Sequence, residues 1–128
     1  MKNIIITNNP DVKEKFKDVF SVEFLDEKTY MDVLYCARDL IHKGHELLTH
    51  PLSGSVKPNE TPYKSIIVSS KTGYLDKTGL TILEESIQTV IKFTKNKKTP
   101  NWTERVLDDF RVIDLSIMEN VIDRLGHK

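Results

Sequence analysis

A chain of 128 residues and 14.8 kDa is long enough to bury one core without staples, so a single domain spanning 1–128 is expected. Its 19 basic and 19 acidic side chains cancel, which removes any global electrostatic case for nucleic acid or an anionic membrane, and no apolar run approaches the roughly 18 residues of a membrane helix. The lone Cys36 closes no intramolecular disulfide and the start MKNIIITNN lacks a signal-peptide core with a cleavage site, so a cytoplasmic protein is expected.

Ile4, Ile5 and Ile6 form a β-branched run ended by Thr7-Asn8-Asn9-Pro10, the pattern of a buried strand feeding a helix start. Val12, Phe16, Val19 and Phe20 predict a helix over 11–20 with one apolar face, and 22–25 is a second strand, so the chain opens as a βαβ unit. Thr29 with Asp32 caps the next helix, whose stripe is Tyr30, Val33, Leu34, Ala37, Leu40 and Ile41; Lys43-Gly44 stops it. Strands are expected at 46–49 and 64–69. Thr81 with Glu84 reads as a capping box for a helix through Leu83, Ile87, Val90 and Ile91, ending near 95–98, where Lys92, Lys95, Lys97 and Lys98 read as helix-terminal charge.

In the last segment Trp102, Val106, Phe110, Ile113, Ile117 and Val121 fit one long helical stripe, but that helix sets Asp114 among apolar residues while Val112 and Leu115 face water. Ser116 with Glu119 offers a second capping box, so a break is expected between Phe110 and Ser116. The sum is an α/β fold: a three-layer domain with a mostly parallel sheet of about four strands, helices on both faces and a helical C-terminus. Whether the fourth strand is parallel or antiparallel stays open.

The stretch 38–65 carries most of the unusual chemistry, with three histidines and three prolines between two apolar runs. In open α/β sheets ligands bind beyond the carboxyl ends of strands, which selects Thr7, Asn8 and Asn9 after the first strand and the loop from His50 after the third. There Ser53-Gly54-Ser55 forms an anion nest or a plain solvated turn, with Lys57 as countercharge. A second candidate cluster joins Arg38, Asp39, His42 and His45 at the opposite end of the third strand, and a parallel fourth strand would bring Glu60 or Tyr63 toward Arg38. No metal set and no cofactor motif is readable, because His42, His45 and His50 fall at different ends of that strand. Cys36 sits beside the apolar stripe as a structural thiol.

The segment RDLIHKGHELLTHPLSGSVKPNETPYKS, with IIITNNP near the start and DFRVIDLS near the end, resembles the GrdX family, small proteins encoded alongside glycine, sarcosine and betaine reductase systems of anaerobic bacteria. The resemblance covers essentially the whole chain and transfers no catalytic residues. It implies an accessory or regulatory role near a cytosolic selenoprotein pathway that makes acetyl phosphate, the partner being a glycine reductase component or a small anionic metabolite. The alternative is a small enzyme acting on a phosphorylated or carboxylated metabolite with His50 as general acid or base.

Overall fold

The computed structural model describes residues 2–54 and 56–126, with the backbone alone of Asn96. In chain order the elements are β1 (Ile4–Thr7), α1 (Pro10–Phe16), β2 (Ser21–Phe24), α2 (Tyr30–His42), β3 (His45–Leu47), β4 (Ser65–Thr72), α3 (Lys77–Asn96) and α4 (Glu104–Arg124). The strands form one sheet in the order β2-β1-β4-β3. β1 and β2 are parallel, whereas β4 runs antiparallel to both β1 and β3. The sheet is therefore mixed rather than mostly parallel. The reason lies where β4 begins: the Lys64 amide donates to Asn8 Oδ1 at 2.9 Å, and Ser65 pairs with Thr7. That pairing starts β4 beside the end of β1, and it has only one way to run.

Alternation along the two central strands divides the core. Ile6, Ile66 and Val68 join Val33, Leu34, Ala37 and Ile41 of α2 and Leu83, Ile87 and Val90 of α3. Ile5 and Ile67 point the other way, into a cluster with Val12 and Phe16 of α1, Phe20, and Met118, Val121 and Ile122 of α4. Val19 and Ile91, expected on buried faces, are 45% and 40% exposed. For Val19 the cause is local, because α1 stops at Phe16 and the chain turns before it reaches that residue.

The caps explain most boundaries. Asn9 caps α1, accepting from the Asp11 amide at 3.0 Å, with Pro10 in the first turn. Thr29 and Asp32 form the reciprocal capping box of α2. Gly44 follows α2 with φ +103°, and a Cβ there would stand 2.6 Å from the Gly73 carbonyl oxygen, so only glycine fits this crossing. α3 starts one turn earlier than the Thr81–Glu84 pair suggests. Asp76 caps it, one oxygen accepting from Gly79 N–H and the other from Leu47 N–H, which ties the helix start to β3; Thr81 instead donates back to the Lys77 carbonyl.

The expected break between Phe110 and Ser116 is absent. α4 is continuous and Asp114 is turned inward at 5% exposure; Val112 faces water at 53%, but Leu115 is half-buried against the α1 cluster, and it is Ile113, expected on the buried stripe, that is 41% exposed. The inversion is tolerated because the buried carboxylate meets donors brought by β1 and β4, which the spacing within α4 cannot reveal. No helix among the described residues is long and apolar enough to cross a membrane.

Candidate functional site

Since β3 and β4 are antiparallel, residues 48–64 leave and re-enter the sheet at one end, the carboxyl end of β1. There a buried polar chain forms. Asn9 N–H donates to Thr7 Oγ1 at 3.0 Å, Thr7 Oγ1 and Ser65 Oγ lie 2.7 Å apart, and the Ser65 hydroxyl donates to Asp114 Oδ2 at 2.8 Å. With the Ser65 proton committed to the carboxylate, Thr7 donates to Ser65, and the chain points in one direction. Asn9 Nδ2 adds a second bond to Asp114 Oδ2 at 3.1 Å and one to the Arg111 carbonyl at 2.9 Å.

Lys64 completes the cluster at 3% exposure. Its ammonium donates to the Ser53 carbonyl at 3.3 Å and sits 5.9 Å from the Tyr30 ring centre. Burial lowers its pKa to about 8 against the opposing pull of Asp114. Burial likewise raises the Asp114 pKa, with the bonds from Asn9 and Ser65 and the Lys64 charge working the other way. The Tyr30 phenol is pushed up by burial and by Asp114. A cavity of about 10 Å³ lies between Tyr30, Ser53, Tyr63, Lys64 and Asp114, no more than a single water requires.

The loop above is fastened from below by side chains. Asn8 Nδ2 donates to the Pro62 carbonyl at 2.8 Å and the Lys28 carbonyl at 2.9 Å. Trp102 Nε1 donates to the Glu60 carbonyl at 2.7 Å, and Arg111 donates to the Tyr63 hydroxyl at 2.9 Å. The loop's outer edge meets the end of α3 in a groove of about 500 Å³, lined by Lys57, Lys92, Lys97 and Lys98 with Phe93 and Trp102.

The candidates read from sequence divide accordingly. Thr7, Asn8 and Asn9 lie at the same end as Ser53, but their polar groups are consumed internally and all three are buried. His50 is exposed; its Nδ1 accepts from Leu52 N–H at 3.0 Å and its carbonyl accepts from the Ser53 hydroxyl at 2.7 Å. Gly54, at φ +98°, packs against Ile117 of α4, where a Cβ would come within 2.5 Å of Cδ1. Ser55 lies outside the described residues. Lys57 faces the groove, away from the buried chain.

The second cluster is not assembled. Arg38 pairs with Glu84 at 3.0 Å and covers the Tyr35 ring; Asp39 and His42 are exposed. His45 Nδ1 donates to the Ser69 carbonyl at 2.7 Å. Glu60 and Tyr63 stay with Trp102 and Arg111, because the approach to Arg38 needed a parallel fourth strand. Sequence reasoning missed Lys64, Ser65, Asp114 and Trp102. For Asp114 a signal was present, a carboxylate on an otherwise apolar stripe; Lys64 falls at the first position of the expected 64–69 strand, where nothing in the pattern marks a buried charge. Comparison with curated proteins and with solved structures gives no match, whereas a family model described as GrdX-like protein matches residues 4–123.

Proposed function

The chain belongs to the GrdX-like protein family, and from that premise we propose that it is an accessory or regulatory protein of the glycine reductase pathway whose 50–64 loop surface binds a small anionic metabolite. The observation that carries this reading is the fastening of the loop. Side chains from outside the loop, Asn8, Trp102 and Arg111, hold its 60–63 end at the Pro62 and Glu60 carbonyls and the Tyr63 hydroxyl, and Lys57 is left exposed on the outer edge. A surface ordered before its ligand arrives loses little entropy on binding. Such ordering supports a binding role for the loop.

Acid–base catalysis by His50 has weaker support. Its Nδ1 is already engaged by the Leu52 N–H of its own loop, and among the described residues no carboxylate within ion-pair distance orients the ring. The test is calorimetric titration of the wild-type chain and the Lys57→Ala variant with acetyl phosphate, inorganic phosphate and glycine, run beside pull-downs with reductase components. Saturable anion binding that weakens about tenfold or more in the variant supports the reading. Capture of a reductase component without anion binding replaces the metabolite with a protein partner, and neither kind of binding removes the proposal.

A further inference from the structure

The groove at the end of α3 holds more positive charge than the fold requires. Lys57, Lys92, Lys97 and Lys98 face one carboxylate, Glu60, an excess of three positive charges on a chain whose total is zero. None of the four lysines has an ion-pair partner among the described residues. The negative carboxyl end of α3 accounts for lysines in and just after its last turn, but its field fades within that turn. Lys57 arrives from a different segment, and Lys92 lies a turn before the helix end. Like charges gathered without counterions repel one another, so their common groove points to an anion as the missing component.

The walls narrow the choice of anion. Trp102 is held at its N–H by the Glu60 carbonyl and braced by Phe110, the ring centres 5.7 Å apart and tilted by 48°, while Phe93 is 41% exposed. A volume of about 500 Å³ is that of a small-molecule site rather than an ion site. Asn59 also lines the groove, and its buried side-chain oxygen has no hydrogen-bond partner among the described residues. With Glu60 it supplies acceptors beside the aromatic walls. Inorganic phosphate or a short carboxylate would leave those walls wet and those acceptors unused.

We propose that the groove binds a nucleoside di- or triphosphate, with the phosphates among the four lysines, the base against Trp102 or Phe93, and Asn59 and Glu60 accepting from base amino or sugar hydroxyl groups. This rests on the anion-binding reading above and names its ligand class. Trp102 is the only tryptophan, so its fluorescence reports on this groove alone. The test titrates the full chain with ADP, ATP, pyrophosphate, acetyl phosphate and adenosine, following Trp102 emission and calorimetric heat. ADP and ATP are expected to bind with a change in emission, and pyrophosphate about tenfold to a hundredfold more weakly, since stacking of a base on an aromatic ring is worth roughly that factor. The exposed pair Lys57→Gln with Lys98→Gln should lose tenfold or more in ADP affinity with an unchanged melt. Pyrophosphate or acetyl phosphate binding as tightly as ADP overturns the nucleotide assignment and leaves the anion site standing. Failure of every phosphate overturns both, and ADP binding indifferent to the double substitution places the nucleotide elsewhere and overturns the proposal.

Discussion

Replacing Asp114 with alanine removes the carboxylate on which the buried chain ends. The neighbours are not equally harmed. Asn9 Nδ2 keeps the Arg111 carbonyl and Ser65 keeps Thr7, so each loses one bond of two. Lys64 loses the nearby charge that favours its ammonium form, leaving a buried cation with one carbonyl contact. Breaking a buried pair from one side costs about 3–5 kcal/mol. Here an escape limits the loss, because Lys64 already titrates at about 8 and can give up its proton at pH 7 for about 1.4 kcal/mol. Adding the two weakened hydrogen-bond sets gives about 3 kcal/mol at pH 7, or roughly 9–18 °C in melting temperature for a domain of this size. At pH 9 the wild-type Lys64 is already mostly neutral, so less is lost. Circular-dichroism melts of Asp114→Ala at pH 6 and pH 9 check this, with Asp114→Asn as the milder variant that keeps an acceptor for Ser65. A melt within about 2–3 °C of wild type refutes the account, as does a larger loss at pH 9 than at pH 6.

Lys64 also sets a pH dependence in the wild type. Its folded pKa lies near 8 against an ordinary 10.5, so between those values the unfolded chain holds the extra proton, and stability from this group rises with pH and is lost again as pH falls through 8. The ceiling is about 3 kcal/mol, and Lys64→Met should flatten that part of a urea-denaturation series; an unchanged slope argues against a desolvated ammonium. Gly44→Ala puts a Cβ against the Gly73 carbonyl at positive φ and should cost about 2 kcal/mol or more, read as a lower denaturation midpoint; a neutral effect would mean that the crossing relaxes freely. Cys36 is half-buried against the α2–α3 cluster and burial raises its thiol pKa, so a disulfide reagent should modify the folded chain well below the rate in denaturant, and equal rates would place the thiol in open solvent.

What the sequence reveals here is whatever is encoded locally. The isoleucine run of β1, the capping box at Thr29, the stripe of α2 and the glycine stop at Gly44 each depend on neighbours within a few positions, and each is found where the pattern puts it. Strand direction is not local. β4 turned antiparallel because Asn8, more than fifty positions away, holds the Lys64 amide, and no periodicity carries that information. Asp114 shows the same limit from the opposite side. Within α4 its burial reads as an error to be removed by breaking the helix, and only Asn9 and Ser65, from β1's end and β4's start, make it acceptable. The proposed groove follows suit, since Lys57 and the α3 lysines become neighbours only once the loop is fastened.

The carboxylate in α4 also acts as an address. The helix carries more apolar residues than one face can bury, with Val112 and Ile113 left outside while Met118, Val121 and Ile122 go in. By hydrophobicity alone a turn of roughly 100° about its axis, one residue's worth, exchanges one set for another at modest cost. In such a turned helix Asp114 would forfeit its bonds from Asn9 and Ser65 and meet no donors of its own. An Asp114→Leu chain can therefore gain burial and still lose definition, its α4 sampling several rotations that appear as broadened methyl resonances, beside the lower melting point expected of any variant that strips Lys64 of the nearby charge.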